Sequence, residues 1–288
     1  MTAAGRFVLS TLTAATFALP AAAHPGSGIV ADRRGRIYFI DTGAGVWKID
    51  ERGALSPVKG PNFHWLTIDA DDRFAKARLP SGPDGEVVRV GKRPTLIAAS
   101  DVPLAVGGNG RLYYPARAKG GAVQVLEMTP GGAIAVRASI PLPWLNGLAL
   151  APDGSIFVTG NDAIWKIDAQ GRTSTVLSRL APTDCPAIPG VTAAEGPFLR
   201  GLSVDAKGAI VVAASGCGRV LKVAPDGKIA TLLQTESPWS PTAVVTVGAD
   251  LYVLEYLHTA TEDRRAWRPR VRKVSPDGKS AVIATVER

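Results

Sequence analysis

The 288-residue sequence has few of the residues on which metal and redox sites are usually built, with two cysteines, two methionines and three histidines. It contains no Cys-x-x-Cys or His-Glu-x-x-His pair, no phosphate loop, no nucleophile-elbow motif and no haem or dinucleotide fingerprint. After the first twenty residues it also lacks long helical patterns and any apolar run long enough to cross a membrane. These absences argue against the enzyme classes that those motifs define.

The composition is that of a folded protein with many turns. Hydrophobic residues make up 46% of the chain and charged residues 20%, which is ample material for a core, and there are 31 glycines and 22 prolines. The net charge of +8 is spread along the chain, and no motif combines basic with aromatic residues. We therefore expect no nucleic-acid partner.

The first 23 residues have the pattern of a secretory signal. Arg6 provides a positive start, residues 7–19 are apolar or small, and Ala21 to Ala23 fit the rule for a cleavage site. The alternative is an N-terminal membrane anchor. The signal predicts a periplasmic or secreted protein whose mature chain, residues 24–288, is a single domain with no membrane span.

A pattern of strand, tight turn and strand recurs along the mature chain. It is clearest where a third strand follows with a central lysine, as in Val46-Trp-Lys-Ile-Asp50 and Ile164-Trp-Lys-Ile-Asp168, and ends in a turn that carries glycine. Two weaker copies begin at His64 and Pro103, and the six copies are spaced roughly forty residues apart. This period predicts an all-β, six-bladed propeller with four antiparallel strands per blade, each blade running from its inner strand outward. A β-sandwich is the alternative.

These repeats resemble NHL-type repeats and the wider superfamily of six-bladed propellers that includes gluconolactonase and regucalcin. The resemblance implies a lactonase, a lyase or a binding platform. It also implies, for the lactonases, a divalent cation held by a glutamate, an asparagine and an aspartate at the channel mouth. Asn146 matches the asparagine, but Ser27 and Arg200 stand at the two acidic positions. We therefore do not expect that metal site, and the cofactor stays unknown.

Loops on one face of such a ring surround the central channel and form a natural ligand site. His64 and Glu255 are the candidate acid–base residues. The candidate ligand-binding residues on this face are Ser27, Trp65, Asn146, Arg200, Thr242 and Tyr256. Arg200 could clamp an anionic group, or it could bond loop carbonyls as a structural residue. Asn146 could orient the same ligand or serve as a turn residue.

The histidines and cysteines leave further alternatives open. His24, His64 and His258 all fall on the same face, so a three-histidine metal site is conceivable, although single loop histidines are common. Cys185 and Cys217 are expected to form a disulfide in an oxidising compartment, with a catalytic thiol as the alternative.

Together these features predict an exported monomer that binds a small ligand, anionic if Arg200 clamps it, at the channel mouth. The ligand is either processed by a lactonase-like hydrolase or lyase activity, or held by a non-catalytic binding or scaffold propeller. Convergence of His64, Asn146, Arg200 and Glu255 on one pocket would favour the enzyme, and their dispersal around an open channel would favour the scaffold.

Overall fold

The computed structural model describes residues 25–82, 85–91, 93–118, 120–180, 197–205, 207–257 and 267–287. Its strands form six antiparallel sheets of four strands each. The strands are β1 (Ile29–Ala31), β2 (Ile37–Asp41), β3 (Gly45–Ile49) and β4 (Leu55–Val58) in blade 1; β5 (Trp65–Asp69), β6 (Ser81–Gly82), β7 (Gly85–Val90) and β8 (Thr95–Ala99) in blade 2; β9 (Ala105–Val106), β10 (Leu112–Arg117), β11 (Val123–Met128) and β12 (Ile134–Ile140) in blade 3; β13 (Gly147–Leu150), β14 (Ile156–Thr159), β15 (Ile164–Ile167) and β16 (Thr173–Leu177) in blade 4; β17 (Leu199–Val204), β18 (Ile210–Ala214), β19 (Arg219–Val223) and β20 (Ile229–Gln234) in blade 5; and β21 (Trp239–Val247), β22 (Asp250–Leu257), β23 (Pro269–Val274) and β24 (Ser280–Thr285) in blade 6.

The six inner strands close into a ring. Strands β1, β5, β9, β13, β17 and β21 each contact the next, and β21 contacts β1 again. The core lies between neighbouring blades, as in the cluster that joins Val125 and Ile140 of blade 3 to Leu148 and Val158 of blade 4. The predicted all-β, six-bladed propeller is confirmed. Within the described ranges no helix is long and apolar enough to cross a membrane.

Glycines at the start of inner strands allow the blades to approach each other closely. A Cβ on Gly28 would lie 2.5 Å from the backbone nitrogen of Leu66 in blade 2, and one on Gly147 would lie 2.4 Å from the carbonyl oxygen of Arg200 in blade 5. No side chain fits at such distances, so the repeated glycine of the sequence marks where neighbouring backbones meet around the channel.

Blade 2 departs from the order of strands that the repeat predicts. From the channel outward its strands run β5, β8, β7 and β6, so the chain passes from the inner strand straight to the outer edge and then returns. The crossing segment, residues 70–80, is fixed by buried Phe74, whose backbone N–H donates to Asp69 Oδ2 at 2.6 Å. Arg89 Nη1 donates to the Phe74 carbonyl at 3.2 Å from the blade itself. The return places the end of β8 beside the channel instead of at the rim.

No strand is shared between the first and last blades. Blade 1 consists only of β1–β4 and blade 6 only of β21–β24, so side chains must close the ring. Tyr256 of β22 is fully buried at this junction; its hydroxyl donates to the Ile40 carbonyl at 2.7 Å and accepts from the Thr42 N–H at 3.3 Å. Packing of Phe39 against Leu254 and Val271 completes the contact.

Candidate functional site

A central cavity of about 270 Å³ runs between the inner strands of all six blades. Ser27 and Trp65 are among the residues that line it, and both lie where the chain enters an inner strand. We call this end of the channel the mouth face; it also carries His64, Asn146, Arg200 and Thr242, each immediately before or at the start of an inner strand. The cavity lies just below the 300 Å³ at which typical small-molecule sites begin.

Ser27 joins the first blade to the second at the mouth face. Its side chain is 3% exposed, and its backbone N–H donates to the His64 carbonyl at 2.7 Å. The Oγ atom is buried and makes no hydrogen bond within the part of the chain that the structure describes. A buried hydroxyl without a partner is costly, so this atom is a ready hydrogen-bonding point for a ligand in the channel.

His64 is bound to a carboxylate that the sequence alone did not reveal. Its side chain is 3% exposed, and Nδ1 lies 2.8 Å from Oδ1 of Asp101 and 2.7 Å from the carbonyl oxygen of Ser100. The His64 backbone N–H donates to the same Ser100 carbonyl at 2.9 Å. Both neighbours of Nδ1 are acceptors, so the tautomer with the proton on Nδ1 is the one assigned from these contacts; Nε2 is buried.

The strand order of blade 2 explains why Asp101 is there. Ala99, the last residue of β8, pairs with Trp65, the first residue of β5, so the chain that leaves β8 passes His64 at the channel. In a blade that ran from the inner strand outward, the residues after the last strand would lie at the outer edge. One signal in the sequence indicates that blade 2 differs from the other blades: the turn after Asp69 has no glycine. In the structure, Asp72 takes the left-handed conformation in this turn, with φ 53°.

Arg200 contacts the start of the described chain. Its side chain is buried, Nη2 donates to the Pro25 carbonyl at 2.7 Å, and Cζ lies 5.3 Å from the centre of the Phe198 ring. Of the two roles open for this residue, the structure shows a bond to a loop carbonyl. A role in clamping an anion stays a prediction; the guanidinium brings a positive charge to the mouth face in either case.

Asn146 lies next to Arg200 and is also engaged with the protein. Its Nδ2 donates to Oδ1 of Asn161 at 2.8 Å, and its backbone N–H donates to the Thr159 carbonyl at 2.8 Å. Thr159 in turn donates through Oγ1 to the Arg200 carbonyl at 2.9 Å. The amide is therefore held in one orientation, and Thr159 links it to the backbone of Arg200 in the next blade.

Thr242 and Tyr256 are enclosed by protein. Both are 0% exposed, and Thr242 Oγ1 donates to the Leu254 carbonyl at 3.4 Å. Burial, with a smaller effect of the nearby Asp41 charge, raises the pKa of Tyr256, so its phenol stays protonated and donates to Ile40. These contacts account for both residues as parts of the framework around the mouth face.

Glu255 lies on the side of blade 6 that packs against blade 5, where Val253 two residues earlier joins a cluster with Val211. Its fully buried carboxylate accepts from Nε of Arg272 at 2.7 Å and from Nε of Arg270. Glu236 completes the network, accepting from Nη2 of Arg272 at 2.6 Å and of Arg270 at 2.8 Å. Glu255 is thus engaged in a charge network between two blades. His64 lies elsewhere, where it contacts blade 1 and the residues that follow β8.

The donors at the mouth face do not suit a divalent cation of the lactonase type. Ca²⁺ and Mg²⁺ take oxygen ligands rich in carboxylates. Here Ser27 offers one hydroxyl, the amide nitrogen of Asn146 faces Asn161, and the third position holds the guanidinium of Arg200. Among the described residues, no cluster of three His, Cys, Asp or Glu side chains could hold a metal ion.

Several predictions fall on residues outside the described ranges. The proposed signal, residues 1–23, and His24 and His258 of the three-histidine hypothesis belong to this group. So does Cys185, the expected partner of Cys217. Cys217 is 1% exposed in a 3-10 turn, Ser215–Cys217, after β18. The disulfide stays a prediction.

Solved structures of other propellers are similar over most of the chain. Virginiamycin B lyase from Staphylococcus aureus, solved as a catalytically inactive variant with quinupristin, is 16% identical and matches 92% of this chain and 85% of its own, with a TM-score of 0.50. Regucalcin from Agrobacterium tumefaciens, a calcium-binding protein, is 15% identical over 84% of this chain and 85% of its own, with a TM-score of 0.54. Luciferin-regenerating enzyme is 15% identical over 87% and 91%, with a TM-score of 0.55. At these identities the likeness shows a shared fold.

Curated protein sequences provide no match to this chain. A family described as "SMP-30/Gluconolactonase/LRE-like region" matches residues 105–260. That range runs from β9 in blade 3 past the end of β22 in blade 6, and it is more than half of the chain. The closed ring of six blades agrees with it. The chain belongs to the SMP-30/gluconolactonase/LRE-like family.

Proposed function

We propose that this protein is exported and that it binds a small ligand at the mouth face, where His64 performs acid–base chemistry of the hydrolase or lyase type. The observation that carries the proposal is the contact of the buried His64 Nδ1 with the exposed carboxylate of Asp101 at 2.8 Å, in a residue whose carbonyl accepts from the Ser27 N–H. A histidine whose ring is fixed by a carboxylate is a recurrent general base. Blade 2 uses a distinct strand order that brings this pair together.

The chemistry follows from the protonation state of the ring. With the proton on Nδ1, the lone pair on Nε2 accepts a proton, and the charge of Asp101 stabilises the imidazolium that forms. In hydrolysis of a lactone, water loses its proton to Nε2 as its oxygen bonds the carbonyl carbon; the ring C–O bond then breaks and the leaving oxygen takes the proton. In a lyase reaction, Nε2 removes a proton from carbon, a C=C bond forms as the C–O bond to the leaving group breaks, and the leaving oxygen takes the proton from the imidazolium.

The names of related propellers agree with these two reaction types. The family name includes gluconolactonase, and one similar structure is a lyase solved with quinupristin in a catalytically inactive variant in which one histidine is replaced by alanine. At 16% identity that lyase supports the fold alone, so the assignment for this chain depends on its own His64 and Asp101.

Arg200 and Asn146 suit the binding of a ligand that carries a negative charge. Arg200 is 6% exposed, so its charge would act on a nearby anion with little screening by water, and the Asn146 amide is held in place by its bond to Asn161. In this proposal the anionic group lies towards blades 4 and 5, and the reacting group lies towards His64 on blade 2.

Export would bring the mature N-terminus to the same face. Cleavage after Ala23 leaves one residue ahead of Pro25, whose carbonyl accepts from Arg200 at 2.7 Å. Intact mass of protein purified from the producing cells tests this step. A mass that corresponds to residues 24–288 is expected, and a mass of the full chain would contradict export by this signal.

A non-catalytic binding or scaffold propeller is the second candidate. It is favoured by the dispersal of the four candidate residues, because the residues that line the central cavity do not include His64, Asn146, Arg200 or Glu255. The engagement of Arg200 with Pro25 and of Glu255 with Arg272 also favours it, because both side chains already serve the framework. In this case the mouth face would hold a ligand without changing it.

Turnover by purified mature protein separates the two candidates. The probes are glucono-δ-lactone, followed by acid release in a pH-stat, and quinupristin, followed by mass spectrometry. Replacing a general base typically costs 10²- to 10⁴-fold in rate, so His64→Gln is expected to lose at least about 100-fold with the probe that is processed. The control, Asp226→Asn, alters a side chain that is 53% exposed in a turn on the opposite face and should keep full activity.

Two results would contradict acid–base catalysis by His64. One is turnover that is equal in wild type and His64→Gln, since proton transfer would then not depend on His64. The other is the absence of turnover with both probes while either one binds saturably in calorimetry, a result that favours the scaffold.

A further inference from the structure

The central cavity and the mouth-face residues occupy different levels of the channel. On blades 2, 5 and 6 the lining of the cavity begins with Trp65, Gly201 and Ala243, each directly after the mouth-face residue of its blade. On blade 4 it begins with Leu148, two residues after Asn146. The cavity therefore lies further along the inner strands than the side chains of the mouth face.

The exposure of the lining residues shows towards which face the cavity opens. Residues near the mouth face, such as Ser27 and Trp65, are at most 8% exposed. Thr246, near the other end of the inner strand of blade 6, is exposed. On blades 1, 3, 4 and 5 the last lining residue is likewise more exposed than those before it, at Val30, Val106, Leu150 and Val204. The cavity therefore opens on the face of the ring opposite the mouth face.

The wall of the cavity is uncharged and largely aliphatic. None of the described residues that line it has a charged side chain, and every blade contributes an aliphatic one: Ile29, Leu66, Leu104, Leu148, Leu202 and Val244. An ion that entered would give up water without meeting an opposite charge in the wall, which strongly disfavours its binding. An uncharged molecule has no such cost, and its apolar surface would be removed from water against these side chains.

Four hydroxyl side chains interrupt the aliphatic wall. Ser27 Oγ, at the end nearest the mouth face, makes no hydrogen bond with the described residues. Thr67 Oγ1 accepts from the Val106 N–H at 3.2 Å, and its own hydrogen is donated to no described residue. Near the opening, the hydroxyls of Ser203 and Thr246 pair with each other at 3.3 Å. Ser27 and Thr67 can therefore each donate to an acceptor oxygen on a ligand.

We propose that the central cavity is a second binding site, entered from the face opposite the mouth face, for a small uncharged molecule with an aliphatic body and an acceptor oxygen. The cavity measures about 270 Å³. Because one water molecule takes about 30 Å³ of liquid, the ligand has at most about nine non-hydrogen atoms. Its oxygen accepts from Ser27 or Thr67, and its body packs against the aliphatic wall. This site does not depend on the chemistry proposed for His64.

The test uses the isoleucine methyl signals of the mature protein labelled with ¹³C. Ile29 lines the cavity, and its signal is assigned by its loss in Ile29→Val. Ile134, which is 54% exposed on the outer strand β12, is the reference, assigned in the same way by Ile134→Val. The probe is cyclohexanone, an uncharged ring with one acceptor oxygen. Cyclohexylammonium and cyclohexanecarboxylate carry a positive and a negative charge on the same ring.

A saturable shift of the Ile29 signal with cyclohexanone, with no shift at Ile134 and none at Ile29 from either ion, is the expected result. An Ile29 signal that cyclohexanone does not move would mean that water alone fills the cavity, and it would overturn the inference. Equal shifts from cyclohexanone and one of the ions would overturn the selection of an uncharged ligand.

Two variants test the hydroxyl donor and the opening. Ser27→Ala should weaken cyclohexanone binding about three- to tenfold, and Tm should stay within about 2 °C of wild type because Oγ has no partner in the described chain. Thr246→Phe places a ring in the opening and should weaken binding at least about tenfold, whereas the control Thr246→Ser should bind as wild type does. Wild-type binding in Thr246→Phe would contradict entry from this face.

His64→Gln separates this inference from the proposed function. Binding in the cavity does not need proton transfer, so this variant should keep the cyclohexanone shift at Ile29 while it abolishes turnover. Full activity in His64→Gln with an intact shift would reject the proposed chemistry and keep the second site. Loss of the shift in this variant would show that the cavity depends on the mouth face, and it would reject a separate site.

Discussion

Replacing Tyr256 with phenylalanine removes one oxygen atom from the junction where blade 6 meets blade 1. Within the described residues the two blades share no strand, and this hydroxyl forms a polar link that helps to close the ring. It donates to the Ile40 carbonyl at 2.7 Å and accepts from the Thr42 N–H at 3.3 Å, and the whole side chain is buried. Burial raises the pKa of Tyr256, so the hydroxyl keeps its proton throughout the pH range in which the protein is folded.

The expected cost follows from what the substitution leaves behind. Phenylalanine keeps the ring packed against its neighbours, so no large cavity forms, but the Ile40 carbonyl and the Thr42 N–H lose a partner away from water. A buried polar group without its partner costs about 1–3 kcal/mol, and we expect a loss of about 2 kcal/mol in the free energy of unfolding. For a chain of this length that corresponds to a fall in Tm of about 3–4 °C.

Thermal unfolding followed by near-ultraviolet circular dichroism measures this loss, with Tyr114→Phe as the matched control. Tyr114 is 6% exposed, and its hydroxyl makes no hydrogen bond in the described part of the chain, so the control should change the unfolding free energy by less than about 0.5 kcal/mol. Equal losses in the two variants would refute the reasoning, because the cost would then come from the ring environment and not from the closing hydrogen bonds.

Two further predictions concern charged side chains. Glu255→Gln should destabilise the protein by about 3 kcal/mol in urea unfolding, because Arg270 and Arg272 would stay buried with only Glu236 to balance their charges. The control, Glu236→Gln, changes a side chain that is 65% exposed and should cost less than about 1 kcal/mol. Equal costs for the two variants would contradict this account. At Asp72, the Thr95 hydroxyl, which donates at 2.7 Å, holds the pKa of the carboxyl below its usual value. The ionised carboxylate therefore stabilises the fold above the unfolded-state pKa of about 3.9, and this stability is lost as the pH falls through the lower folded-state pKa. Asparagine tolerates the left-handed backbone at this position, so Asp72→Asn tests the charge alone. Because 27% of the Asp72 side chain is exposed, the variant should lower the free energy of unfolding by less than about 1 kcal/mol at pH 7 and by almost nothing near pH 2. A loss that is constant with pH would contradict the assignment.

The fold could be predicted because the signals that specify a propeller are local and repeated. The strands and turns of each blade are encoded within about forty residues, as in Val46-Trp-Lys-Ile-Asp50, and six such copies predict a propeller. The route of the chain through blade 2 was not predictable in the same way. It depends on Phe74 finding a buried place between blades and on Arg89 binding the crossing segment, and both are contacts between residues distant in sequence.

The unexpected strand order of blade 2 determined which site residues could be predicted from the sequence. His64 was identifiable as a histidine ahead of an inner strand, but Asp101 was placed at an outer edge by the expected strand order. Glu255 and Tyr256 lie near the end of β22, and the sequence could not show their partners: arginines of the neighbouring strand for Glu255 and the backbone of blade 1 for Tyr256. The direction in which a side chain points depends on the register between strands, which only the structure supplies.

Trp144 illustrates a second limit of the sequence. Trp47, Trp144, Trp165 and Trp239 all belong to apolar stretches of similar appearance, and a tryptophan is more often buried than exposed. Only the packing of Leu142 and Leu145 beneath the loop shows that Trp144 is turned to the solvent.

A double-mutant cycle on His64 and Asp101 tests most directly whether they act as one unit at the mouth face. With glucono-δ-lactone or quinupristin, whichever is processed, His64→Gln should lower kcat/KM at least about 100-fold and Asp101→Asn about 10- to 100-fold. The account predicts that the double variant is no slower than His64→Gln alone, because Asp101 acts only through the imidazole that it contacts at 2.8 Å. Losses that multiply in the double variant would contradict it.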